Sequence, residues 1–117
     1  MKKILLVDDD IRIQRLLLEK LEEDGYQIST ASNGKDSLSL LTHESERPDL
    51  VILDLRMPEM DRFETMGFIS TLKINVPVII FSAYGSYRNA PVVMVADAYV
   101  VKSFDLSELK KKVHKLV

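Results

Sequence analysis

Cysteine is absent from the 117 residues, which excludes a disulfide framework and any thiolate metal site. Histidine is scarce: His43 and His114 fall on separate expected helices, lack ligand-like spacing, and read as solvated surface residues. Neither sign of charge is in excess, with 16 basic against 18 acidic residues and a net charge of -2. No basic surplus therefore exists to neutralise phosphates, which argues against direct nucleic-acid binding. The run Lys110-Lys111-Lys112 reads as a basic, solvated helix face. Long apolar runs are missing too; none approaches the roughly 20 residues that cross a bilayer. Met1-Lys2-Lys3 has the charge of a signal-peptide start, but Asp8, Asp9 and Asp10 end the apolar stretch after Ile4–Val7. No repeat, linker or low-complexity stretch interrupts the chain. The expectation is one cytoplasmic domain over residues 1–117, with no membrane association and no output domain in the chain.

What the chain does have is alternation. Short apolar runs rich in Val and Ile occur at Ile4–Val7, Leu50–Leu53, Val78–Phe81 and Tyr99–Val101, with a weaker alternating run at Tyr26–Ala31. Continuous apolar runs of this length suit strands buried on both faces of a parallel sheet. Helical spacing fills the intervals. Ile13, Leu16, Leu17 and Leu21 form one stripe that Gly25 ends. Leu38 and Leu41 mark a second helix after Asn33-Gly34, and Phe63 and Met66 a third. Leu106, Leu109, Val113 and Leu116 mark the last, with Asp105 or Ser107 as its cap. A fourth helix over Ser86–Val95 is expected to be short, because Pro91 and three valines are poor helix formers. Five strands alternating with five helices predict right-handed crossovers and an α/β three-layer sandwich.

In such a fold ligands gather outside the carboxyl ends of the strands. The polar residues that follow the apolar runs are Asp8 and Asp9, then Asp54, then Ser82, then Lys102. Clustered carboxylates repel unless they share a cation or a proton. An all-oxygen pocket without His or Cys suits a hard cation, and Mg²⁺ is the natural candidate. A carboxylate beside Mg²⁺, faced by a hydroxyl and an ammonium, also fits in-line phosphoryl transfer to give an aspartyl phosphate. The plainer reading of Asp8 to Asp10 is capping of the following helix, and it suits Asp10 best. It does not account for Asp54 and Lys102 falling at other strand ends.

Four stretches, ILLVDDD, PDLVILDLRMPEMD, VPVIIFSAYG and ADAYVVKSFDLSELKKKV, resemble the receiver domain of bacterial two-component response regulators in order and spacing. The resemblance implies a flavodoxin-like, five-stranded parallel sheet of order 2-1-3-4-5. It also implies that a sensor histidine kinase or phosphotransfer protein donates a phosphoryl group to Asp54. By position Asp9 resembles the direct Mg²⁺ ligand, Asp8 the second acidic-pocket residue, and Arg56 the donor of a backbone carbonyl to the metal. Ser82 matches the hydroxyl that binds the phosphoryl group, Lys102 the lysine that pairs with it, and Tyr99 the aromatic that changes rotamer on activation. Arg56 and Tyr84 match positions that set the lifetime of the aspartyl phosphate. The face formed by the fourth helix, fifth strand and fifth helix is the implied surface for a downstream target, an output domain or a homodimer. A family member of this kind is a phosphoacceptor that promotes its own phosphorylation and dephosphorylation, not an enzyme acting on a separate substrate.

Two positions depart from the family's pattern. Arg62 stands where glycine is usual, and Ser103 where a cis proline usually follows the lysine. We expect the Lys102–Ser103 bond to be cis, although that form costs about 3 kcal/mol before a non-proline residue. These departures motivate an alternative, a phosphorylation-independent interaction module on the same fold. A Mg²⁺-dependent phosphohydrolase is a third reading, but no segment is spare for a substrate cap. A flavin-binding flavodoxin is excluded because the first strand ends in acids where a phosphate loop is needed.

Overall fold

The structure, a computed structural model, describes residues 2–8, 10–32, 47–53, 76–82, 96–102 and 105–117. Five strands, β1 (Lys3–Val7), β2 (Gln27–Ala31), β3 (Leu50–Leu53), β4 (Val78–Ser82) and β5 (Ala98–Val101), form one sheet of order β2-β1-β3-β4-β5. Every neighbouring pair is parallel. Two helices are described, α1 (Ile11–Glu23) and α2 (Ser107–Leu116). The second, third and fourth helices expected from sequence lie outside the described residues.

The apolar runs became strands for the expected reason. All of β3 and β4 is buried, as is β1 after Lys3, so residues pointing to both faces are removed from water. A strand of that kind cannot lie on a solvated surface, and full burial of each such side chain contributes about 1.5–3 kcal/mol. On one face Ile4, Leu6, Leu50, Ile52, Ile79, Phe81 and Val100 form the core with Leu17 and Leu21 of α1 and Leu109 and Val113 of α2. The weaker alternating run is the edge strand β2, where only Ala31 is buried.

The helix ends are specified locally. Asp10 has extended backbone angles, and its side chain accepts the Arg12 N–H, so the bland reading of this acid as a cap holds. At the other end the Gly25 N–H donates to Glu22 O and the Tyr26 N–H to Leu21 O. That is the paired Schellman closure, which needs a left-handed residue, and Gly25 supplies it at φ +92°. For α2, Asp105 Oδ1 accepts the Ser107 N–H at 2.9 Å. The stripe from Leu106 to Leu116 faces the core as its spacing required.

Two aspartates fix the amino-terminal edge of the sheet. Asp49, just before β3, accepts the Lys3 N–H at 2.8 Å. Asp97, just before β5, does the same for the Val78 N–H at 2.8 Å. Each carboxylate ties the first residue of a neighbouring strand. The register therefore starts alike on β1/β3 and β4/β5, which brings the opposite ends level. Lys110, expected on a solvated face, is instead half-buried, with its ammonium 3.3 Å from Asp24 at the end of α1.

Candidate functional site

Because the five strands are parallel, all their carboxyl ends meet at one edge. Asp8 leaves β1 there and stays attached to the sheet, its N–H donating to Ala31 O at 3.1 Å. Ser82 is the last residue of β4, not the first beyond it, and is fully buried. Lys102 follows β5, with its N–H donating to Ser82 O at 2.7 Å. This bond carries the β4–β5 ladder one step further and holds the start of the lysine side chain beside the serine.

The side chains then meet. Lys102 Nζ donates to Asp8 Oδ2 at 2.8 Å, so an ion pair links the outer strand β5 to β1 across the ends of β3 and β4. The Lys102 ammonium also stands 5.9 Å from the centre of the Phe81 ring, within range of cation–π attraction. The other carboxylate oxygen of Asp8 accepts the Asp10 N–H at 2.9 Å. The Asp8 carbonyl accepts from Gln14 Nε2 of α1.

The electrostatics follow from burial. Asp8 is 1% exposed, and a carboxylate taken that far from water needs positive charge and hydrogen bonds around it. Lys102 and the Asp10 N–H supply both. An oxygen donor of this kind, buried, anionic and at a sheet edge, fits a hard divalent cation and not a soft one.

Of the residues singled out from sequence, the structure brings Asp8, Ser82 and Lys102 to one edge of the sheet. Tyr99 lies within β5, half-buried, opposite Ile80 of β4. Asp9, Asp54, Arg56, Arg62, Tyr84 and the Lys102–Ser103 bond lie outside the described residues. Sequence reasoning missed Gln14 and Phe81. Both sit at apparently ordinary positions, a polar residue on a helix and an aromatic within an apolar run, so only their contacts reveal them. No helix among the described residues is long and apolar enough to cross a membrane.

The response regulator receiver domain model matches residues 4–114. The chain belongs to this family, and its place is in two-component phosphorelay signalling. Sporulation initiation phosphotransferase F of Bacillus subtilis is 38% identical over 97% of the chain and 92% of its own length. A probable transcriptional regulator, ycf27 of Cyanophora paradoxa, is 37% identical over 99% of the chain, which spans only 48% of that protein. The chain thus spans about half the length of several transcriptional regulators that it matches. Among solved structures, response regulator protein TrrA of Thermotoga maritima in complex with Mg²⁺-BeF superposes with a TM-score of 0.90. It is 46% identical, and the match covers 100% of both chains. A complex of histidine kinase ThkA with TrrA gives a match with a TM-score of 0.86, also at 46% identity, covering 100% of this chain and 99% of the other.

Proposed function

We propose that the chain is a phosphorylation-controlled switch in which Asp54 accepts a phosphoryl group from a phosphohistidine on a sensor kinase or phosphotransfer protein. The contact between Lys102 and Asp8 carries this reading, because it joins an ammonium from β5 to a buried carboxylate from β1, strands that lie on opposite sides of β3. Asp54 is the residue that follows β3 in sequence. An ammonium kept there is the charge that a transferred phosphoryl group requires, and the buried hydroxyl of Ser82 adds a donor. Support from relatives is of two kinds. TrrA has been seen with Mg²⁺-BeF and with a histidine kinase, and one relative of nearly equal length is itself a phosphotransferase.

In the proposed step an oxygen of the Asp54 carboxylate attacks phosphorus in line while the P–N bond of the phosphohistidine breaks. The bonding pair leaves with the imidazole, which takes up a proton, and an aspartyl phosphate remains. Asp8, Asp9, Asp54 and the Arg56 carbonyl would hold Mg²⁺, which when bound offsets charge on the phosphoryl oxygens. Lys102 and Ser82 then exchange part of their resting contacts for phosphoryl oxygens. That exchange alters the end of β5, on which Tyr99 lies, and the face formed by the fourth expected helix, β5 and α2. Arg56 and Tyr84 set how long the phosphoryl group stays. The site of action is the cytoplasm, and the output passes to a downstream protein target or an output domain.

The test uses Mg²⁺ and a small acyl phosphate. The expected result is a hydroxylamine-labile mass gain of one phosphoryl group that Asp54→Ala abolishes. No gain, or a gain retained by Asp54→Ala, overturns the assignment and favours the phosphorylation-independent module. Continuous phosphate release from many donor molecules would favour a hydrolase.

A further inference from the structure

The N–H of Gln14 completes the first hydrogen bond of α1, donating to Asp10 O at 3.0 Å. Helical side chains lean toward the helix N-terminus, so a residue in this turn reaches back over the loop that enters the helix. The Gln14 side chain does so, and its Nε2 donates to the Asp8 carbonyl and lies 3.5 Å from Ser32 Oγ, just beyond β2. One amide with two N–H groups thus joins the exits of β1 and β2 to α1. The other polar groups of Asp8 are held elsewhere. Its N–H binds Ala31 O, one carboxylate oxygen binds Lys102, and the other binds the Asp10 N–H.

The Asp8 carbonyl is part of the planar peptide unit that leads into Asp9. Fixing that oxygen fixes the plane from which the next residue starts. We propose that Gln14 is a positioning residue for the cation pocket, which holds the Asp8 carbonyl from α1 and so fixes the main chain that carries the buried Asp8 carboxylate. The proposal rests on the metal reading given above. Gln14 touches neither cation nor phosphoryl group in this role and acts through the main chain. Groups that orient metal ligands from behind commonly change affinity by about 10–100-fold when removed.

Gln14→Met tests this, because Met keeps side-chain length and helix propensity while removing both donors. Mg²⁺ binding to the unphosphorylated full chain is measured by calorimetric titration, and thermal unfolding is followed in EDTA. Phosphorylation by an acyl phosphate is then measured against Mg²⁺ concentration. The expected result is Mg²⁺ affinity weaker by about tenfold, a correspondingly raised Mg²⁺ requirement, and a rate at saturating Mg²⁺ close to wild type. The midpoint of unfolding in EDTA stays near the wild-type value. Superimposable Mg²⁺ titrations of variant and wild type overturn the role of Gln14 and leave the metal reading intact. So does a variant that unfolds earlier in EDTA with unchanged Mg²⁺ dependence. A wild-type chain that shows no Mg²⁺ binding overturns the metal reading, and this inference with it.

Discussion

The ammonium of Lys102 lies 2.8 Å from Oδ2 of Asp8, a residue 94 positions earlier in the chain. The carboxylate is 1% exposed and the lysine side chain 16%, so solvent screens the pair weakly. Such a contact is worth little as a general argument for stability, since desolvation offsets much of the attraction. Removing one partner is different, because the other charge stays buried.

Lys102→Met should therefore destabilise the metal-free protein at neutral pH. Breaking a buried pair costs about 3–5 kcal/mol, and the partial exposure of the lysine puts this case near the lower end. Urea unfolding in EDTA measures the loss. Adding Mg²⁺ should restore more stability to the variant than it adds to wild type, because a cation at Asp8 replaces the missing ammonium. A loss below about 1 kcal/mol would place the pair with ordinary surface bridges. An equal response to Mg²⁺ in both proteins would separate Asp8 from the cation pocket.

The sheet was legible in the sequence because its central strands are buried on both faces. Ile4–Val7, Leu50–Leu53 and Val78–Phe81 carry no polar residue that would let another element claim them. Strand ends were legible for the same reason, since the first polar residues after the β1, β4 and β5 runs fall at the sheet edge. Thus Asp8, Ser82 and Lys102 were found by position before any contact was known. Their pairing was not legible. The resemblance pairs Lys102 with a phosphoryl group at Asp54, which lies outside the described residues, and gives no sign of the contact that the lysine makes with Asp8. Nor does any periodicity announce Asp49 and Asp97, whose carboxylates bind the first N–H groups of adjacent strands. An Asp before a strand reads only as a turn residue. The strand order itself came from family resemblance, because alternation alone fixes the class of sandwich and not the sequence of its strands.

Gly25 offers a test of backbone conformation free of packing. Its φ of +92° is required by the closure of α1, and a Cβ built there would meet nothing within 4 Å. Gly25→Ala should then lose only the conformational term, about 1–2 kcal/mol for a non-glycine residue in left-handed space. Gly25→Asn should lose less, since Asn tolerates that region better. Chemical denaturation compares the two. An Ala variant as stable as wild type would mean that the turn re-forms with another closure.

Acid should weaken both described helix starts. Asp10 is held below the usual aspartate range chiefly by the Arg12 side-chain hydrogen bond, then by the Arg12 N–H. Asp105 is lowered by hydrogen bonds from the Ser107 N–H and then its hydroxyl. A carboxylate whose folded pKa is depressed stabilises the fold fully above its unfolded value, about 3.9, and the contribution disappears as pH falls through the folded value. Asn caps helices nearly as well as Asp but does not titrate. The variant Asp10→Asn with Asp105→Asn should therefore be less stable than wild type at neutral pH, and the difference should close below about pH 4. Urea unfolding of both proteins from neutral to acid pH measures that difference directly. A gap that stays constant through the acid range would show that charge on these two carboxylates contributes nothing, leaving hydrogen-bond geometry at the Asp10 cap and at Asp105, one residue before the cap position Leu106, as the whole of their effect.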